Sequence, residues 1–309
     1  MHRTYVQTHC TKPDALPLKL EGASMDSTHS MIKTTWLDEY EKLDALISFL
    51  FPSTVYVQSS QIIAGHMHYL RLLKLSNGVK LLLKSSPSAR TPLLRHERFF
   101  LETEARFLAV LGQSANPCIP QLYHYDPNGT PLGSAYSIRQ YIKGTPLSQI
   151  APQLTVQQRN GIDRHLGFLA STIGQHVAPS FGSLQQVAAG AGKSSWRDAF
   201  RALFESVLRD AEDMFISLPY AEIRDEMTRL QSALDGVMLP RLVVVGLGRL
   251  SHVLLDDESK QLSGVIDFSS ALWGDVLMAE VFESATHAVL EGAGYPLMRT
   301  MEETIRLLM

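Results

Sequence analysis

The periodicity of the chain changes around Gly144-Thr145-Pro146, and that change limits the folds open to it. Ahead of it, residues 54–64, 67–76 and 78–84 carry the short alternating runs of strands. Asn77-Gly78 between the last two is a hairpin turn signal, because both residues tolerate the left-handed backbone such turns require. Residues 120–126 and 134–143 form a second pair of runs around Pro127-Asn128-Gly129. Between the two groups, residues 94–111 place Phe100, Glu104, Phe107, Leu108 and Leu111 at helical spacing. Residues 34–50 do the same with Trp36, Tyr40, Leu43, Ile47 and Leu50, and Pro52 ends that run. Beyond Pro146 the pattern becomes helical over 155–175, 195–215 and 219–236. A β-rich stretch at 241–268 follows, then helical portions at 276–291 and 296–309.

Strand-rich sequence followed by helix-rich sequence predicts an α+β chain of two lobes. We expect a flexible lead-in at 1–33, an N-lobe with a leading helix and five-strand sheet at 34–143, and a helical C-lobe at 144–309. A chain of 309 residues with 45% hydrophobic content can fill both. The net charge of −3 lacks the basic excess of a nucleic-acid binder. Cys10 and Cys118 form neither a disulfide framework nor a metal-ligand pattern, and no metal site is expected. No apolar run approaches the roughly 20 residues of a membrane span, and no secretory leader is visible. The expected setting is cytoplasmic, with no membrane partner.

Four segments in order carry more specific information. They are Ser137-Ile138-Arg139-Gln140-Tyr141-Ile142-Lys143-Gly144-Thr145-Pro146-Leu147, Phe181-Gly182-Ser183-Leu184, Pro240-Arg241-Leu242-Val243, and Gly264-Val265-Ile266-Asp267-Phe268 followed by Ala271-Leu272-Trp273-Gly274-Asp275. Together they resemble the two-lobed protein-kinase-like fold of the aminoglycoside phosphotransferase-like family, in the form common in filamentous fungi, over about residues 50–290. The resemblance implies a small β-rich N-lobe, a larger mainly helical C-lobe, and a small-molecule ligand in the cleft between them. It implies that Lys84 grips a nucleotide phosphate and that Glu104 holds Lys84, with Glu97 and Glu102 as alternatives to Glu104. Taken alone, Lys84 reads as a strand-end cation and Glu104 as a helix-surface carboxylate. The phosphate-covering loop would be Ile63-Ala64-Gly65-His66-Met67-His68-Tyr69, which has a single glycine.

The catalytic loop departs from the family pattern His-Gly-Asp-x-x-x-x-Asn. Aligned on Val253-Leu254-Leu255, the pattern puts Val245 at the His, Leu247 at the Asp and His252 at the Asn, and only Gly246 is kept. Leucine cannot accept a proton. Imidazole is a poor ligand for magnesium, which prefers oxygen. Asp267 stands at the family's metal-binding position, and the fold implied by the resemblance brings His252 and Asp267 together between the lobes. The two are therefore candidates for a catalytic acid–base pair, with Arg249 and Ser251 as nearby anion or oxygen contacts. Read more simply, His252 is a structural histidine and Asp267 a turn carboxylate.

Three functions stay open at this point. One is a repurposed enzyme of small-molecule biosynthesis performing cyclisation, isomerisation or dehydration. Another is a weak ATP-dependent kinase, and only in that case are ATP and magnesium cofactors. The third is a non-catalytic pseudokinase.

Overall fold

The computed structural model describes residues 40–63, 65, 67–88, 90–112, 116–295 and 300–308. The expected lead-in, the start of the 34–50 helix, Ala64 and His66 fall outside these. Residues 40–50 are helical, as α1. Strands β1 (Val57–Ile63), β2 (Tyr69–Leu75) and β3 (Lys80–Ser85) follow. A 3-10 turn, Glu97–Phe99, leads into α2 (Phe100–Leu111), and β4 (Leu122–Asp126) and β5 (Tyr136–Gln140) come next. The five strands make one antiparallel sheet in the order β1-β2-β3-β5-β4. The β2–β3 hairpin closes where expected: Leu75 N–H donates to Val79 O at 2.9 Å, and Gly78 takes φ +85°.

Side chains alternate across a strand. On β3, Leu81 and Leu83 enter the core that α1 covers with Leu43, Leu46 and Ile47. Tyr136 and Ile138 of β5 join the same core. Lys84 and Arg139 therefore share the opposite face, which looks toward the second lobe. Helix α2 serves both lobes. Its Glu104 reaches under the sheet, while Phe107, one turn on, belongs to the large C-lobe core and stacks on Phe268 with centroids 4.5 Å apart.

The C-lobe comprises β6 (Thr145–Pro146), α3 (Leu147–Ile150), α4 (Val156–Ile173), β7 (Gly182–Ser183), α5 (Leu184–Ala188), α6 (Trp196–Asp213), α7 (Tyr220–Leu230), β8 (Arg241–Val244), β9 (Val253–Leu255), β10 (Leu262–Val265), β11 (Ala271–Gly274), α8 (His287–Ala293) and α9 (Met301–Leu308). Its two small sheets run β10-β9-β6 and β7-β11-β8. Helix α4 starts on a capping box made by Thr155 and Gln158. It crosses α8 at contact distance: a Cβ on Gly167 would lie 2.1 Å from Val289 O.

Three details differ from expectation. The sequence predicts a weak linker near Gly144-Thr145-Pro146, but Thr145 and Pro146 pair with Leu255 and Leu254. Residues 271–274 are a strand, so the β-rich stretch runs past 268. The expected helix at 276–291 is two 3-10 turns, Val276–Met278 and Glu280–Phe282, with α8 starting only at His287. The reason lies in the backbone. Glu280 N–H donates to Val245 O at 2.8 Å and Val281 N–H to Leu247 O at 2.7 Å, so these donors are withdrawn from the helical i→i−4 ladder.

Two arginines tie distant parts together. Arg95, between β3 and α2, donates its backbone N–H to Asp210 at 3.0 Å and its guanidinium to Asp210 and Asp213 of α6. Arg306 of α9 donates to the buried Asp275 at 2.7 Å. Among the described residues no helix is long and apolar enough to cross a membrane.

Candidate active site

Lys84 and Glu104 meet. Lys84 Nζ donates to Glu104 Oε2 at 2.5 Å, and both residues are buried. The two alternative partners are engaged elsewhere: Glu97 accepts Leu94 N–H at 2.8 Å, and Glu102 pairs with Arg106 on the surface at 2.7 Å. Period-2 alternation puts Lys84 on the inner face of β3, and the turn of α2 puts Glu104 beneath it.

Asp267 follows β10. Phe268, stacked on Phe107, anchors it from one side, and Ser269 N–H donates to Asp267 Oδ1 at 2.9 Å. Burial opposes its ionisation, but Lys84, the Ser269 bonds and His252 outweigh it and hold the carboxyl at about 2. Asp267 is a carboxylate at any ordinary pH.

His252 precedes β9. Its backbone N–H donates to Arg249 O at 2.8 Å, and its carbonyl accepts Ile266 N–H at 3.1 Å, which brings the residue alongside Asp267. The ring Nε2 lies 3.6 Å from Asp267 Oδ2. That is beyond a good hydrogen bond, but catalytic pairs commonly tighten only when a ligand binds. Burial pushes the His252 pKa down, with Asp267 pulling the other way, so the imidazole is neutral near pH 7. Its Nδ1 is buried and has no hydrogen-bond partner.

The loop before His252 is held from behind. Gly246 N–H donates to Ser270 Oγ at 3.0 Å, and Leu247 N–H to Val244 O at 3.1 Å. Gly248, at φ +106°, passes so close to Val281 that a Cβ would lie 2.9 Å from its backbone. This turn sends Leu247 into the C-lobe core, where it is 1% exposed. Arg249 is engaged by Glu280 at 3.1 Å, and Ser251 is exposed.

Two site residues escaped the sequence reading. Arg139, 4% exposed, reaches from β5 to Ile266 O at 2.7 Å and lies 3.4 Å from Glu104 Oε1. A charged residue on the inner face of β5, beside Ser137, was the available signal. In the sequence His68 alternates with His66, and with no third ligand nearby the pair reads as no metal site. His68 stands beside Gly65, where a Cβ would meet its backbone O at 2.5 Å, and it feels the charges of both Lys84 and Asp267. Burial first, then Lys84, lowers its pKa to about 4 against the pull of Asp267. His68 also lines a cavity of about 500 Å³ with Ser86, Thr91, Glu97, Arg98 and Leu101, a volume typical of small-molecule sites.

The fold has known relatives. An aminoglycoside phosphotransferase, APH(4)-Ia, is 15% identical with a TM-score of 0.55, over 90% of this chain and 86% of that one. A thermostable mutant of the same enzyme, solved with ADP and hygromycin B, is 17% identical with a TM-score of 0.54, over 86% and 88%. A structure from Ralstonia eutropha, provisionally assigned as an aminoglycoside phosphotransferase, is 14% identical with a TM-score of 0.58, over 86% and 84%. Identities this low establish the kinase-like fold alone. No curated protein matches the chain by sequence. Residues 72–278, more than half of the chain, match the phosphotransferase enzyme family, and the chain belongs to that family.

Proposed function

We propose that the chain binds a small organic molecule between its lobes and acts on it by acid–base chemistry through His252 and Asp267, without transferring phosphate. The observation that carries this is the pair itself: a neutral imidazole 3.6 Å from a permanent carboxylate, next to a loop whose residue 247 is a core leucine. Because Nδ1 is buried, the proton must pass through His252 Nε2, on the Asp267 side, and Asp267 stabilises the imidazolium that forms without holding that nitrogen in a hydrogen bond. Isomerisation, dehydration and cyclisation need this proton movement and no phosphate donor. The degenerate loop, the likeness to fungal members of the family, a role in small-molecule biosynthesis and a cytoplasmic setting all belong to this reading.

Magnesium fits the site poorly. Lys84 and Glu104 suit a phosphate grip. For a metal, however, the neighbourhood supplies the carboxylate of Asp267 beside the imidazole of His252, where magnesium would take oxygen. Among the described residues no group of three or more His, Cys, Asp or Glu is placed to hold a metal ion.

The test is a phosphotransfer assay with ATP, magnesium and a panel of hydroxylated acceptors, run beside a thermal-shift screen of metabolites. We expect hits in the screen, turnover of a hit that falls in His252→Ala, and no phosphate transfer. Transfer at about 1–100 s⁻¹, the usual range for kinases, would overturn the reading. That outcome is the second reading, an ATP-dependent small-molecule kinase, and the intact Lys84–Glu104 pair favours it. The solved relatives include one holding ADP with hygromycin B and a macrolide 2'-phosphotransferase, so aminoglycosides and macrolides belong in the acceptor panel. Binding without turnover would leave a non-catalytic ligand carrier.

A further inference from the structure

Helix α6 carries five acids and three arginines, and every acid is engaged. Asp198 accepts the Ser195 hydroxyl at 2.7 Å. Glu205 takes Arg224 of α7 through both oxygens, at 3.0 and 3.2 Å, and Glu212 takes the same arginine at 2.9 Å. Asp210 and Asp213 are held by Arg95. Of the arginines, Arg197 pairs with Asp235. Arg201 and Arg209 have no side-chain partner among the described residues, and neither has Lys193, just ahead of the helix. The spacing makes this informative. Glu205 lies four residues from each of the two arginines, the separation at which a helix forms its own ion pairs. Its oxygens are turned to α7 instead.

The three cations left over line one groove. Lys193, Arg201 and Arg209 surround about 650 Å³ together with Arg95, Asp198 and Glu205. That volume suits a small molecule. Arg95 and Glu205 are neutralised by their own partners, and Asp198 offsets one of the three open cations. Two positive charges remain, which a dianion would balance. Arg201 and Arg209 stand about 12 Å apart along the helix, within reach of one group between them. Guanidinium forks match phosphate oxygens, and Ser206, also in the groove, adds a hydroxyl. None of these residues belongs to the Lys84–Glu104 or His252–Asp267 contacts.

We propose that this groove is a second ligand site, for a small soluble molecule bearing a phosphate or diphosphate group, with Arg201 and Arg209 as its main contacts. It stands independently of the chemistry in the cleft. Arg95 lines it too, so the site adjoins the segment that leads into α2. A lipid headgroup offers the same phosphate chemistry but fits less well. The exposed Met214 and Phe215 that end α6 follow directly on Asp210, Glu212 and Asp213, and acids at that edge disfavour an anionic membrane.

The test is isothermal titration calorimetry of the full chain with inorganic pyrophosphate, in EDTA and at constant ionic strength, so that no divalent ion assists binding in the cleft. The main variant combines Arg201→Gln and Arg209→Gln, both at exposed positions, and its fold is checked by its unfolding midpoint without the probe. We expect wild type to bind pyrophosphate and the double variant to bind at least about tenfold more weakly, a loss of about 1.4 kcal/mol. Asp198→Asn, which removes the open carboxylate, should bind more tightly. No binding by wild type would overturn the proposal. Undiminished binding by the folded double variant would do the same, because the anion then sits elsewhere. If the double variant does not fold, unchanged affinity in Asp198→Asn decides against the site. Co-sedimentation with vesicles containing phosphatidylinositol 4-phosphate, without binding of pyrophosphate, would assign the groove to a membrane surface and overturn the soluble ligand. None of these outcomes bears on the acid–base reading, which is judged on turnover.

Discussion

The two walls of the cleft obey different constraints. On the N-lobe wall, function rides on sheet alternation: Lys84 and Arg139 face inward because Leu81, Leu83, Tyr136 and Ile138 face the other core. Any change of register would move charge and apolar side chains together. On the C-lobe wall, residues 245–252 form a turn whose direction is set by backbone bonds to Ser270, Glu280 and Val281. Those bonds leave the side chains of the turn free to vary, and Leu247 packs into the C-lobe core. The difference teaches that side-chain alternation shapes one wall and backbone hydrogen bonds the other.

The sharpest challenge to that contrast is Leu247→Asp. If the loop is committed to the core, burying a carboxylate there should cost about 4–5 kcal/mol in urea unfolding. Phosphate transfer gained at little cost would mean the two walls differ by a single side chain. Glu104→Ala probes the other wall. It leaves Lys84 and Arg139 buried together and should cost about 3–4 kcal/mol by the same measurement. Arg306→Ala tests the support behind the loop. We expect a loss of about 2 kcal/mol, because burial already raises the Asp275 pKa and the orphaned acid can neutralise itself by protonation.

The smallest effect is on pH. His68 titrates at about 4 when folded and near 6.5 in an unfolded chain, so the unfolded state binds more protons between those values. Stability is full above about 6.5 and declines as the pH falls toward 4, by about 1–2 kcal/mol after allowing for solvent screening. His252 and His165 shift in the same direction. His68→Gln should flatten part of that slope in unfolding curves taken from pH 7 to pH 4. Asp267, held at about 2, adds its own loss only below about 3.8.

The five strands, α2, α4 and α6 were legible in the sequence, because each rests on a local period or a turn signal. The Lys84–Glu104 and His252–Asp267 meetings came from the family resemblance, and no periodicity encodes either. The inward position of Arg139 was readable from strand alternation, but its partner was hidden, because that partner is a main-chain carbonyl 127 residues away, which no pattern of side chains announces. The 3-10 turns at 276–282 were misread for a related reason. Their sequence is apolar and helix-compatible, and only the long-range bonds to Val245 and Leu247 forbid a helix there.

Arg306 of α9 steadies Asp275, which caps the turn whose successor holds the Val245–Leu247 loop. A helix packed well away from the loop thus braces it through one buried carboxylate, and whatever detaches α9 from Asp275 should loosen residues 245–282 before the strands of the N-lobe give way.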